Sequence, residues 1–373
     1  MATVCLSAAT IYYPKGGGHF WVYLNWALGF KKNNCEVIWL EKLDEDLTIE
    51  QNRIFIDYLK NQLNYYGLNN SLALWSDSNN DSLADFDCKT LSIASEEADF
   101  FLNSSYHIPN HIVKQFRKAI LLDIDPGQLQ LWLSQHHFDV SFYDYYFTIG
   151  EWVGVNDGLP PGSGSSWHYL PPCVCVDAWP YISPQPAGYL TTITHWWHNW
   201  EYDEKGSFDN SKRAGFMPYL TLPKFSPLKL QLAIALASGE EEEKSILIDN
   251  GWSVQNSFEV AGSPQEYQQY IQRSIGEFSC VKPSCIRLQN AWISDRTLCY
   301  FASGKPAIIE HTGPSKFLPD REGILRFKNF EEAVDCITEV ERNYEQHCRH
   351  ARWLAEEYFD AKKVTAKLLE IVL

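Results

Sequence analysis

Ser294-Asp295-Arg296-Thr297 crowds four polar side chains ahead of Leu298, Phe301 and Ala302, an apolar stripe at helical spacing. Ser294 is a helix N-cap residue, and Thr297 offers a second hydroxyl to the orphan N–H groups of the first turn. Gly304 stands where such a helix stops, and Ala307-Ile308-Ile309 reads as a buried strand. Arg296 is out of place, because a helix start favours an anion over a cation. Either Asp295 offsets it within the protein, or Arg296 and the free N–H groups face a bound phosphate.

Other candidates are spread along the chain. Gly16, Gly17 and Gly18, in the run PKGGGHF, would let backbone approach a ligand, although the second half of a G-x-G-x-x-G fingerprint is absent. His19 follows, either as a neutral base for a hydroxyl proton or as a plain helix-start histidine. Asp123-Ile124-Asp125 ends an apolar run before Pro126-Gly127, as a metal-binding carboxylate pair or as a turn former. On a regular strand only one of those two carboxylates faces a cleft. Lys212-Arg213 and Lys282 would each put positive charge on a phosphate, or else be a helix cap and a solvated lysine. Thr312-Gly313 follows a strand end, where N–H groups approach an anion or form an ordinary turn. The run THWWHNWEYD, residues 194–203, reads as an aromatic wall. His195 and His198 within it have helical spacing but lack a third metal ligand.

Positioning these residues takes alternating strands and helices. Residues 3–9 and 36–40 read as strands flanking the glycine loop and a helix over 19–30, a βαβ unit. Residues 48–66 read as a helix, 76–85 as a loop, and 119–125 and 145–149 as strands. Gly, Pro, Ser and Trp dominate 155–188, which suits a domain connection. Beyond it, 189–194, 245–249 and 307–309 read as strands, and 228–237, 265–273, 331–340 and 343–358 as helices. The expected fold is α/β, two Rossmann-like domains facing across a cleft. Residues 1–180 form the first, 181–350 the second, and a terminal helix over 351–373 packs back toward the first. Ligand would lie where the carboxyl ends of the strands converge.

A chain of 373 residues suits two domains, each with its own core. Its net charge of −16 argues against nucleic acid or an anionic membrane as the main partner, so any phosphate site must be a local basic pocket. The ten cysteines lack Cys-x-x-Cys spacing and read as free thiols of a reducing cytosol. Met1 opens a strand without a basic leader, and no apolar run reaches membrane-span length, so a cytoplasmic protein is expected.

The stretch SDRTLCYFASGKPAIIEHTG, residues 294–313, resembles the donor-binding stretch of GT-B glycosyltransferases. GEFSCVKPSCI, 276–286, and LPDREGILRF, 318–327, are similar to neighbouring parts of the same domain. Ser294-Asp295 stand where the retaining pattern E-x7-E of that superfamily has glutamates. The resemblance implies a UDP-, GDP- or TDP-sugar held by Glu277, Lys282, Ser294, Asp295, Arg296, Thr297, Thr312, Gly313, Lys212 and Arg213. It puts Gly16, Gly17 and Gly18 beside the acceptor and the diphosphate, and His19 or Asp125 in the part of the base. The implied activity moves the sugar to an acceptor hydroxyl or amine, with neither a metal nor a resident cofactor. Three other functions stay open. One is a metal-dependent, GT-A-like transferase using Asp123 and Asp125. Another is a Rossmann NAD(P)-dependent oxidoreductase, which the incomplete glycine fingerprint disfavours. The last is a sugar-nucleotide-binding protein without turnover.

Overall fold

The computed structural model describes residues 1–77, 83, 86–106, 108–135, 139–155, 166–203, 206–236, 239–320 and 322–373. Two parallel sheets organise the chain. The first runs in the order Lys89–Thr90, Leu72–Trp75, Glu36–Lys42, Thr3–Ser7, Phe100–Asn103, Ala119–Asp123, Tyr145–Thr148, Trp167–Tyr169. The second runs Ser253–Asn256, Lys229–Ala235, Tyr189–His195, Gly276–Ser279, Ala307–Glu310, Ile324–Phe327. Helices cover both faces of each, so central strands such as Phe100–Asn103 and Ala119–Asp123 are buried throughout.

Chain order reverses once in each sheet. The reversal falls between Thr3–Ser7 and Phe100–Asn103 in the first, and between Tyr189–His195 and Gly276–Ser279 in the second. At such switch points the connections part in opposite directions and leave a crevice at the strand carboxyl ends.

Two elements reverse the sequence expectation. Lys229–Ala235 is a central strand rather than a helix, paired with Tyr189–His195 on one side and Ser253–Asn256 on the other. Its Leu and Ala residues favour helix intrinsically, but pairing on both edges overrides that preference. Residues 245–249, expected as a strand, lie inside the helix Glu241–Asp249. Glu241, Glu242 and Glu243 in its first turn suit the positive end of the helix dipole. Strands at Leu72–Trp75, Phe100–Asn103, Ser253–Asn256 and Ile324–Phe327 escaped the sequence reading. Residue 237 of the expected helix lies outside the described residues. So do 78–82, 84 and 85 of the expected loop, 156–165 of the expected connection, and residue 321.

The chain closes with helices Tyr344–Tyr358 and Ala361–Val372, broken at Phe359-Asp360, where the Asp360 carboxylate caps the second helix by accepting from the Lys362 N–H at 3.1 Å. Ala361–Val372 lies against the helix Gly17–Lys32 so closely that a Cβ on Gly29 would stand 2.7 Å from the Ala361 carbonyl oxygen. Asn33 fastens the contact, donating to the Lys362 carbonyl at 2.8 Å and to Thr365 Oγ1 at 2.9 Å. All ten cysteines are unpaired. Among the described residues no helix is long and apolar enough to cross a membrane.

Candidate active site

A cleft of about 950 Å3 runs between the halves. The loop Tyr12–His19 forms one wall, and Ile193–His195 with Ser294–Arg296 form the other. The second wall is the switch point of the second sheet, and three features build it.

The first is the helix Asp295–Ala302. Ser294 Oγ accepts from the Arg296 N–H at 3.3 Å, as the sequence leads one to expect of an N-cap. At the other end Gly304 has φ +72°, its N–H bonds to Phe301 O at 2.8 Å, and the Lys305 N–H bonds to Tyr300 O at 2.9 Å. That pair of bonds is a Schellman stop, and it needs the left-handed conformation glycine tolerates. Thr297 is buried in the first turn. Asp295 lines the cleft, and burial pushes its carboxyl up from the ordinary aspartate range.

The second feature is Arg296. Its Nε donates to Glu277 Oε1 at 2.7 Å, Nη1 to the Ile193 carbonyl at 2.9 Å and Nη2 to Ser279 Oγ at 2.8 Å. The guanidinium therefore ties together the two strands that part at the switch point. Arg296 borders the cleft, but three of its five N–H donors are engaged inside the second half, with the fully buried Glu277 as counter-ion. The oddity at the helix start is resolved by Glu277 rather than by Asp295.

The third feature is Lys212, in the first turn of the helix Lys212–Phe216, which Ser211 caps by accepting from the Ala214 N–H at 3.1 Å. Lys212 is only 8% exposed, and its Nζ donates to the Cys280 carbonyl at 2.6 Å. Burial first, then the charges of Arg296 and Lys282, push its pKa down to about 8. Among the described residues it has no ion-pair partner. It is a desolvated ammonium with two N–H donors left over at a cleft wall, and the carboxylates nearest in charge terms, Glu310 and the chamber-lining Asp125, form no ion pair with it among the described residues. Lys282, N-cap of the helix Pro283–Leu288, lines the same cleft.

Two further candidates turn elsewhere. Arg213 Nε pairs with Glu243 at 2.9 Å while its guanidinium lies 5.6 Å from the centre of the Trp197 ring. Thr312 Oγ1 donates to the Trp292 carbonyl at 2.7 Å, and Gly313, at φ +122°, approaches Gln289 so tightly that a Cβ would stand 2.5 Å from its carbonyl oxygen. Both residues of that pair pack on the 289–292 segment.

On the facing wall the glycines permit a close approach, largely to protein. A Cβ on Gly17 would lie 2.2 Å from Ser263 O, and one on Gly18 would lie 2.6 Å from the Tyr267 ring. Trp21 Nε1 strengthens this contact between the halves by donating to Pro264 O at 2.9 Å. His19 packs edge-on between the rings of Tyr13 and Tyr23. Its Nε2 lies 3.2 Å from the Ala9 carbonyl, which assigns the proton to Nε2 and leaves Nδ1 as the basic nitrogen. Burial pushes its pKa down to about 4, so the ring is neutral at neutral pH.

Asp125 is exposed and lines a side chamber with Lys212, Lys282, Cys285 and Trp292. Asp123 does not join it. Asp123 is buried, accepting from the Tyr106 hydroxyl at 3.0 Å, Gln130 Nε2 at 2.8 Å and Thr148 Oγ1 at 2.9 Å. Burial pushes its pKa up to about 6. The expected alternative of an Asp123/Asp125 metal pair fails on this geometry, because one carboxylate is sealed in the core. Glu41, at the end of the second strand, is spent as well. It accepts from the Thr10 N–H and hydroxyl, the Ile11 N–H and Trp39 Nε1. The carboxylate that a dinucleotide fold would offer to a ribose thus braces the loop before the glycines.

Sequence reasoning missed Tyr267, Ser257 and Phe258 as cleft residues. The last two directly follow the unrecognised strand Ser253–Asn256, and a strand end at the right sheet edge was the missing signal. His195 and Trp197 do border the cleft, on a strand end and its loop rather than on a helix.

No protein-family profile and no curated protein matches the chain by sequence. Solved structures match it by fold. An alpha-glucosyltransferase in complex with UDP and a 13-mer DNA superposes with TM-score 0.60 at 11% identity, covering 99% of each chain. HepE from Anabaena, in complex with UDP and glucose, gives TM-score 0.61 at 10% identity, covering 100% of this chain and 99% of its own. Sucrose-phosphate synthase from Thermosynechococcus elongatus gives 0.56 at 9% identity, covering 100% and 98%. The two switched parallel sheets facing across a cleft are therefore the GT-B fold, shared by this chain over its whole length with glycosyltransferases.

Proposed function

We propose that this chain transfers a sugar from a nucleoside-diphosphate sugar to an acceptor hydroxyl or amine without a metal ion. The observation that carries this reading is Lys212, a buried cation at the wall of the cleft with no ion-pair partner among the described residues. The structures with the same fold that hold UDP favour a UDP-sugar as donor. In this reading residues 181–350 hold the donor, residues 1–180 hold the acceptor, and the closing helix joins the two. Lys212 and Lys282 take up the charge that builds on the departing diphosphate. Arg296 and Glu277 fix the strand ends on which the donor rests, and Ser294 and Thr297 hold the helix start beside Asp295. The acceptor proton passes to Asp125 or to Nδ1 of His19, and the pair Asp125→Asn and His19→Gln identifies which. Ten unpaired thiols suit a reducing compartment such as the cytoplasm.

The test is a thermal-shift panel of UDP, GDP, TDP, CMP, UDP-glucose and NAD(P), each with excess EDTA and with a divalent metal. Stabilisation by UDP and UDP-glucose that persists in EDTA is expected. Stabilisation by NAD(P) alone, or by UDP only with metal, would overturn the reading.

A further inference from the structure

We infer that the hairpin formed by Trp200–Asp203 and Gly206–Asp209 is a platform for a neutral oligosaccharide acceptor, an inference that rests on the transferase reading above. The hairpin is inserted between the central strand Tyr189–His195 and the helix that carries Lys212. Its register pairs Trp200 with Asp209, Glu201 with Phe208, and Tyr202 with Ser207. Opposed residues share a face, so the two faces differ in composition.

The inner face is anchored. Glu201 and Phe208 are each 8% exposed. Gln128 Nε2, from the first half, donates to Glu201 Oε1 at 2.7 Å, and the Arg287 guanidinium stacks 4.0 Å from the centre of the Phe208 ring. Gln135 Nε2 also donates to the Tyr202 carbonyl at 3.1 Å. The hairpin thus bridges both halves beside the helix that follows Asp125, and its outer face is held in place.

The outer face shows Trp200 at 63% and Tyr202 at 64% exposure, with the Ser207 hydroxyl and the Asp209 carboxylate on the neighbouring strand. Alternate residues of a strand stand about 6.6 Å apart, so the two exposed rings stand side by side on one face. Trp197 and His198 line the cleft itself, three and two residues before the hairpin begins at Trp200.

The chemistry of the face selects the occupant. Flat rings bordered by a hydroxyl and a carboxylate match a pyranose, which has an apolar C–H face and a rim of hydroxyls. Asp209 and the net charge of −16 oppose a polyanion such as DNA. Two rings with polar neighbours are far short of the roughly 800 Å2 per partner of a stable protein interface.

The experiment probes the full chain, with UDP present, on an array of defined neutral oligosaccharides that also carries heparin fragments and single-stranded DNA. The same array receives the double variant Trp200→Ala/Tyr202→Ala, the aromatic-preserving Trp200→Phe/Tyr202→Phe, and Trp353→Ala, an exposed tryptophan of the closing helices. The expected result is binding to neutral oligosaccharides that the alanine pair weakens about ten-fold, the phenylalanine pair largely keeps, and Trp353→Ala leaves alone. Absence of neutral-glycan binding, preference for heparin or DNA, or equal binding by the alanine pair would each overturn the inference. UDP stabilisation is measured in every variant. If it persists while glycan binding fails, the platform is wrong and the transferase reading stands. If UDP binds none of them, the transferase reading fails on its own account.

Discussion

The two switch points have the same topology and opposite chemistry. In the first sheet the gap between Thr3–Ser7 and Phe100–Asn103 is closed by neutral groups. Ser7 Oγ donates to Asn103 Oδ1 at 2.8 Å, accepts from the Ser104 N–H at 3.1 Å, and Asn103 Nδ2 donates to the Tyr143 hydroxyl at 2.5 Å. Every one of these polar groups has its partner in the protein, and no charged group is among them. In the second sheet the same gap is spanned by Arg296, paired with Glu277, next to a desolvated lysine that forms no ion pair among the described residues. Topology supplies two crevices, and in the proposed function the residues that line the second are the ones suited to an anion.

The contrast can be broken in order of expected effect. Glu277→Gln removes the counter-ion of a buried guanidinium and should destabilise the fold by about 3–5 kcal/mol, read as a lower urea midpoint. A loss under about 1 kcal/mol would mean the pair is not the brace described. Arg296→Ala is expected to unfold the second half before it reports on the donor. Lys212→Met should behave in the opposite way. UDP affinity should fall about 10- to 100-fold, the loss of one charge-assisted contact, while thermal stability is unchanged or rises. Ser7→Ala sharpens the comparison from the neutral side, with a stability loss of about 0.5–1.5 kcal/mol and UDP affinity unaltered.

The smallest effect is in pH. Lys212 loses its proton near pH 8 in the folded chain, against 10.5 for an ordinary lysine. Between those values the unfolded chain holds the extra proton. The cost of burying the charge is therefore full below pH 8 and fades as pH rises toward 10.5. Anion binding has the reverse sign, since the phosphate pairs with the protonated amine. UDP affinity, followed by titration calorimetry, should decline as pH rises from 7 to 9.5, and Lys212→Met should flatten that decline. A pH-independent affinity in the parent chain would remove Lys212 from the site.

How much of this was legible depends on sequence distance. The helix Asp295–Ala302 was readable in full, since its cap, stripe and glycine stop all lie within a dozen residues. The role of Arg296 was not, because its partners come from Ile193, Glu277 and Ser279, on two strands brought together only by the sheet. Lys212 was visible as a cation near a strand, but its value lies in burial, which residue type does not encode. The glycines at 16–18 announced a close approach without saying to what, and Ser263 and Tyr267 are some 250 positions away. The exchanged readings at 229–235 and 245–249 have one cause. Short apolar runs carry no period of their own, and the sheet, or three glutamates at a helix start, decided them.

One measurement goes to the centre of the matter: calorimetric titration of UDP into the parent chain and into Lys212→Met, at pH 7 with excess EDTA. Saturable binding by the parent, weakened at least ten-fold by the substitution in a protein that melts no lower, is the predicted result. Equal affinity in the two proteins, or no binding without a divalent metal, would contradict a metal-free diphosphate site built on the desolvated lysine.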